Sequence, residues 1–266
     1  MLPEPTIRLT EEQIASYHEN GYLSLPAITT PEEVVKLRGI YDRLFDSKAG
    51  REAGDHFDLG GTDEDSKEAV LPQILGPSKY APELLETLLR ANAISIAQQL
   101  GGPECEIVFD HAINKPPRSP APTPWHQDEA YWQDDTTYEH AMSIWVPFQD
   151  VNQHNGCMQF IPGSNKLEVL PHHSINNDPR IHGLELNQGV FDVSKPAVCP
   201  LPAGGCTIHS SRTLHYTAPN NSDAPRRAYI LIAHTPKKIL PVSRNFYWNK
   251  QRQTARTERA ASAAKK

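Results

Sequence analysis

His126 and Asp128 stand one residue apart in the run Trp125-His126-Gln127-Asp128-Glu129, and His215 follows far downstream in Thr213-Leu214-His215-Tyr216. Two imidazoles and a carboxylate on one face of a metal leave the opposite face open, which suits iron(II) chemistry with a co-substrate and dioxygen. In an extended segment residues i and i+2 point to the same side, so His126 and Asp128 can ligate together while Gln127 turns away. The distal histidine must then come from the fold. His209 competes with His215 for that place, since it too sits near a strand end. Histidine and aspartate also bind zinc, which keeps a hydrolytic reading open.

Arg226 follows His215 across Ala218-Pro219-Asn220-Asn221-Ser222-Asp223-Ala224-Pro225. Turn residues of this kind predict a reversal between two antiparallel strands, returning the arginine alongside the histidine. A planar guanidinium grips a carboxylate with two parallel hydrogen bonds. A 2-oxo acid that chelates iron through its keto group and near carboxylate needs its far carboxylate held in this way, and the cosubstrate so implied is 2-oxoglutarate. Arg227 is the alternative, because neighbouring strand residues face opposite sides and only one can enter a pocket. A zinc hydrolase would leave Arg226 without a task.

Several further runs occur in order: Ile113-Asn114-Lys115-Pro116-Pro117, Trp145 with Asn155-Gly156-Cys157, Ile161-Pro162-Gly163-Ser164, and His209-Ser210-Ser211-Arg212-Thr213-Leu214-His215, with Gly21-Tyr22-Leu23 after a short opening helix. Together with the His126/Asp128 pair they resemble the phytanoyl-CoA dioxygenase family of iron(II)- and 2-oxoglutarate-dependent dioxygenases, over roughly residues 7 to 235. The resemblance implies iron on His126, Asp128 and His215, and the far carboxylate of 2-oxoglutarate on Arg226. It further implies cosubstrate contacts at Trp145, Thr217 and His111, the last standing where the family has a methionine, and at an upstream lysine, for which Lys67 is the candidate. Dioxygen is the second cosubstrate.

Composition narrows the class. With 26 basic and 32 acidic residues the formal net charge is −6, so no electrostatic footprint favours nucleic acid. Cys105, Cys157, Cys199 and Cys206 show no C-x-x-C spacing, and the first residues, Met1-Leu2-Pro3-Glu4-Pro5, lack the basic and apolar regions of a signal peptide. A reducing cytoplasm and free thiols are expected. No apolar run approaches the roughly 20 residues that cross a bilayer. The partner expected is therefore a small-molecule substrate, with neither nucleic acid nor membrane; the oligomeric state is left open.

The elements that must position these residues are mainly β with flanking helices. Thr10-Glu11-Glu12-Gln13 is a capping box opening a helix that should stop at Asn20-Gly21. A second helix opens at Thr30 with Pro31 at its first position and Glu33 completing another box, and it should turn Val34, Val35, Leu37, Ile40, Tyr41 and Leu44 inward. Glu83 to Leu100 has helical apolar spacing. From Cys105 onward short apolar or alternating runs near 105–114, 141–149, 157–161, 203–209, 213–217 and 227–235 predict the strands of an antiparallel jelly roll, the double-stranded β-helix of cupin-like folds.

Residues 1–250 form one domain on this reading, with 251–266 a frayed or disordered tail. Residues 48–68 should be a mobile loop and 171–196 a long insertion, the two forming the substrate entrance. His172, His173 and His182 within the insertion are expected at the surface. The expected reaction is oxidation, by default hydroxylation, of a small organic substrate with release of succinate and carbon dioxide. A domain that binds metal and 2-oxoglutarate without turnover is the rival from outside enzymology.

Overall fold

The computed structural model describes residues 1–265. Helix α1 spans Glu11–Asn20, with the Thr10/Gln13 capping box formed on both sides and Gly21 closing it at φ 81°. Only glycine suits that corner, because a Cβ there would lie 2.5 Å from the Thr213 hydroxyl. Strand β1 (Tyr22–Leu25) follows, then helix α2 (Pro31–Asp46), capped by Thr30. The second capping box is only half formed. Glu33 turns its carboxylate instead to the amides of Leu88 and Leu89, capping the next helix. Val35 is 68% exposed, contrary to the inward expectation, because it lies about 100° around the helix from Val34.

Short strands β2 (His56–Asp58) and β3 (Pro72–Leu75) precede helix α3 (Leu88–Gly101). The apolar spacing from Glu83 is broken in two, since Pro82–Glu86 is a 3-10 turn and Thr87 caps α3. Next come β4 (Glu106–Lys115), β5 (Thr123–His126), β6 (Thr136–Thr137), β7 (Ala141–Pro147) and β8 (Met158–Phe160). The insertion contributes β9 (His172–Ser174) and β10 (Leu184–Leu186), a small hairpin of its own. The chain continues through β11 (Ala197–Cys199), β12 (Cys206–Ser210), β13 (His215–Thr217), β14 (Arg226–His234) and β15 (Lys238–Ile239), then helices α4 (Tyr247–Gln251) and α5 (Ala255–Ala263).

Seven strands form one sheet in the order β1-β12-β7-β14-β4-β3-β2, and four form a second in the order β11-β8-β13-β5. All their pairings are antiparallel, which gives the jelly-roll core anticipated from the alternating runs. Strand alternation divides the large sheet. Tyr229, Leu231, Ile144 and Ile208 face outward into a core shared with α1, α2 and α3, whereas Ala228, Ile230 and Trp145 face the second sheet.

The stretch 218–225 is not a hairpin turn. β13 pairs with β5 and β8 in the small sheet, while β14 pairs with β4 and β7 in the large one, so the segment crosses between sheets. Asn220, fully buried, holds the crossover by donating to the carbonyls of Lys115, Pro116 and Ala224. Lys115, also fully buried, donates from Nζ to the carbonyls of Thr217 and Ala218.

The presumed loop 48–68 is built around two carboxylates. Asp58 accepts from the amides of Gly60, Val70 and Leu71, and Asp63 pairs with Arg51 and with Arg259 of α5. The tail beyond 251, expected to be frayed or disordered, is a docked helix as far as it is described. Arg256 lies over the Phe57 ring and Arg252 donates to the His182 carbonyl, so cationic side chains supply the attachment that apolar spacing did not announce. Residue 266 lies outside the described residues.

Candidate active site

The site lies between the two sheets, and the period of two along each strand decides what enters it. His111 on β4, Ser143 and Trp145 on β7, His209 on β12 and Arg226 on β14 project from the inner face of the large sheet. Thr123 and His126 on β5 and His215 and Thr217 on β13 project from the small one. All line one cavity of about 370 Å³.

His126 and His215 are direct cross-strand partners, with ring centroids 4.1 Å apart. β5 ends at His126, and Asp128 opens a 3-10 turn to Tyr131 instead of continuing the strand. Gln127 between them is extended (φ −117°, ψ 133°), so the alternation still places both neighbours on one side. Its own side chain points away and donates to the Arg212 carbonyl at 2.7 Å. The turn is locked by Glu129, whose buried carboxylate pairs with Arg212 and Arg244.

Asp128 Oδ1 lies 3.6 Å from His126 Nε2 and 3.4 Å from His215 Nε2, and the three ligand atoms all fall within 4.8 Å of one another. The tautomers follow from the backbone. Nδ1 of His126 faces the Pro124 carbonyl at 2.7 Å and Nδ1 of His215 the Thr213 carbonyl at 2.8 Å. A carbonyl only accepts, so each Nδ1 carries the proton and each Nε2 presents a lone pair to the common centre. Burial lowers the His126 pKa, as does the neighbouring His215, both favouring the neutral ligand form. Burial alone would raise the Asp128 pKa, but the neighbouring imidazoles, His215 foremost, hold it well below the usual carboxylate range.

Two residues that sequence reasoning did not assign complete this arrangement. Ser143 Oγ donates to Asp128 Oδ2 at 2.5 Å, and His209 Nε2 lies 3.2 Å from the same oxygen. Ser143 thus engages Oδ2 with His209 close beside it, and Oδ1 is left toward the two imidazoles. His209, weighed as a rival distal ligand, thus sits on the far side of the carboxylate, its ring 4.3 Å from that of His215.

Arg226 enters the cavity and Arg227 turns outward to a bidentate pair with Asp42. The Arg226 side chain is among the largest fully buried ones, its guanidinium carbon is 5.3 Å from the Trp145 ring centre, and its Nε and Nη1 have no hydrogen-bond partner among the described residues. Burial pushes its pKa down to about 10. Lys115 is held well below its ordinary value by burial and then by the charge of Arg226. Thr217 lines the same end, its hydroxyl 2.9 Å from that of Thr123, and His111 Nδ1 meets the Gln73 amide at 2.9 Å.

Lys67 is not at the site. It is on the exposed 62–68 segment, paired with Glu64, and lines a separate surface hollow. The histidines of the insertion also depart from expectation. His172 is completely buried, its Nε2 accepting the Gln127 amide hydrogen at 3.2 Å, and His182 lines the active cavity with its pKa driven well below normal by burial. Gly156 and Gly163 are turn determinants, at φ 86° and 78°.

The family signature described as Phytanoyl-CoA dioxygenase (PhyH) matches residues 17–228, and the chain belongs to that family. It is an iron(II)- and 2-oxoglutarate-dependent dioxygenase. Among solved structures it is similar to EvdO2 from Micromonospora carbonacea var. aurantiaca complexed with 2-oxoglutarate, with 34% identity and a TM-score of 0.77 over 92% of this chain and 99% of that one. It is 28% identical over 240 residues to the L-proline trans-4-hydroxylase of Streptomyces griseoviridis, covering 82% of this chain and 83% of that protein. It is 24% identical over 234 residues to the probable alpha-ketoglutarate-dependent hypophosphite dioxygenase of Stutzerimonas stutzeri, covering 87% and 80% respectively. These relatives do not favour the zinc-hydrolase or silent-domain readings.

Proposed function

We propose that His126, Asp128 and His215 hold the iron, that Arg226 clamps the far carboxylate of 2-oxoglutarate, and that the chain hydroxylates a small organic substrate. The observation that carries the assignment is the unpartnered, buried guanidinium sharing one cavity with two lone-pair-bearing Nε2 atoms and a carboxylate oxygen. Bound there, iron(II) supplies activation of dioxygen coupled to decarboxylation of 2-oxoglutarate to succinate and carbon dioxide.

The chain's own residues do the positioning. The backbone carbonyls of Pro124 and Thr213 fix the two imidazoles, and the Ser143 hydroxyl fixes the Asp128 carboxylate, with His209 packed beside it. Arg226 gives the inner end a positive charge that favours a dianionic cosubstrate, and Trp145 lies beside the guanidinium, its ring centre 5.3 Å from the guanidinium carbon. Trp145, Thr217 and His111 are assigned as walls of that cosubstrate chamber.

The same reading places the protein in a reducing cytoplasm with a small-molecule partner, supported by four buried, free cysteines. No described helix is long and apolar enough to cross a membrane. Anaerobic titration with iron(II) and then 2-oxoglutarate, followed by the charge-transfer absorption of the complex, tests the assignment. Loss of that absorption in His126→Ala, Asp128→Ala and His215→Ala with the fold retained is expected. Its persistence in any of the three removes that residue from the ligand set.

A further inference from the structure

The outer half of the cavity has aromatic and aliphatic walls and no spare charge. Of the side chains lining the cavity, Asp128 and Arg226 are the only carboxylate and guanidinium, and no lysine or glutamate is among them. On the reading above both are already committed, one to the metal and one to 2-oxoglutarate. The other ionisable groups are phenols and imidazoles, and of the imidazoles not assigned to the metal, His111 meets the Gln73 amide, His209 lies beside Asp128, and His182 and His234 are engaged as packed rings. His182 lies edge-on to Phe57 with centroids 4.9 Å apart, and His234 stacks on Tyr138 at 3.9 Å. A carboxylate, ammonium or phosphate entering here would lose its hydration without gaining a partner, which is heavily unfavourable.

What the walls offer is flat apolar surface. Trp132 and Tyr138 meet edge to face at 4.8 Å, and both are partly exposed to the cavity. A β-bulge in β4 extends this surface to the mouth. The ladder with β14 steps from Phe109 to Ile107 and skips Val108, so consecutive side chains reach the rim instead of alternating. Val108 is 47% exposed and Phe109 36%, yet both line the cavity, an apolar rim that a ligand would cover.

We infer that this dioxygenase takes an uncharged, ring-bearing substrate, stacked against Trp132 and Tyr138 and projecting over Val108 and Phe109, and not an amino acid or a coenzyme A ester. The inference rests on the assignment of Arg226 to 2-oxoglutarate and Asp128 to the metal. Stacking on aromatic faces and burial of ring surface supply affinity, and the lack of a charged partner supplies discrimination.

The test uses a matched pair of fluorescent probes, 4-methylumbelliferyl β-D-glucoside and the corresponding glucuronide, which share their rings and differ by a carboxylate. Binding of each to the full-length protein loaded with iron(II) and 2-oxoglutarate without oxygen is expected to favour the glucoside by at least about tenfold. Trp132→Ala should abolish that binding and Trp132→Phe should restore it, which separates stacking from a fold defect. Equal or tighter binding of the glucuronide, no saturable binding of the glucoside, or unaltered glucoside binding by Trp132→Ala overturns the inference. Charge-transfer absorption recorded on the same samples reports the cosubstrate complex independently, so failure of the metal and 2-oxoglutarate assignment is seen as loss of that signal and not as a change in probe preference.

Discussion

Replacing Arg226 with methionine should move two properties in opposite directions. The guanidinium is fully buried without partners for Nε or Nη1 among the described residues, and burial pushes its pKa down to about 10. A shift of that size corresponds to about 3 kcal/mol by which folding is disfavoured while the side chain stays charged. Because the folded-state value lies below the unfolded one, the penalty is complete below about pH 10 and shrinks as pH rises through that value towards the ordinary guanidinium range. Methionine fills a similar volume without charge, so the ligand-free Arg226→Met protein should melt about 5 °C higher than wild type near neutral pH, less whatever the lost stacking on Trp145 contributes. Its affinity for 2-oxoglutarate should fall instead, since truncating the partner of a buried carboxylate costs about 2–5 kcal/mol, roughly thirtyfold to several thousandfold. Calorimetry of the ligand-free protein and titration of the charge-transfer absorption of its iron(II) complex measure the two effects. Unchanged 2-oxoglutarate affinity would refute the clamp, and a lower melting temperature in the ligand-free variant would refute the burial argument. Arg227→Met is the control, because that side chain pairs with Asp42 outside the cavity.

Alanine at His126, Asp128 or His215 should eliminate iron-dependent succinate formation while leaving circular dichroism unchanged, and His209→Ala should retain iron; loss of iron in His209→Ala but not in His215→Ala would reverse the distal assignment. Ser143→Ala frees Asp128 Oδ2 from its shortest contact and should weaken iron(II) about 10–100-fold by anaerobic competition with a chromophoric chelator, with equal affinity showing that the serine does not orient the carboxylate. Ending the chain after Gln251 removes the Arg259 contact to Asp63 and the Arg256 contact to Phe57, so proteolysis within residues 60–68 should accelerate while 2-oxoglutarate affinity holds; unaltered cleavage would mean that α5 does not brace that segment.

The convergence of His126, Asp128, His215 and Arg226 on one cavity was legible because residue chemistry and strand alternation coincide. His126-x-Asp128 needs only an extended Gln127, and the choice of Arg226 over Arg227 follows from which neighbours of β14 share a face with Ala228 and Ile230. The partners of those strands were not legible. The Pro- and Asn-rich segment 218–225 has the composition of a hairpin, and nothing local distinguishes a hairpin from a crossing between sheets. That distinction rests on Asn220 and Lys115, whose acceptors lie more than a hundred residues from Lys115 in one case and from Asn220 in the other. Lys67 failed for a related reason. Without a motif to fix alignment, any lysine upstream of β4 was as good as another, and this one lies on an exposed segment where Glu64 satisfies it.

His209 shows what such limits mean for reading a metal centre. Its residue type and its place near a strand end make it a rival candidate to His215, and both end up beside the same carboxylate. What separates them is the sheet each belongs to. His215 sits on β13 and faces its cross-strand partner His126, so the two imidazoles converge from one sheet on Asp128 Oδ1. His209 comes from the opposite sheet and, with Ser143 beside it on β7, meets Oδ2 from behind. The carboxylate is therefore the point at which the two sheets meet chemically, one bringing two imidazole Nε2 atoms beside Oδ1 and the other a hydroxyl and a third imidazole beside Oδ2. A pattern of histidines and aspartate along the chain specifies the participants, and the division of labour among them appears only when each strand is assigned to its sheet.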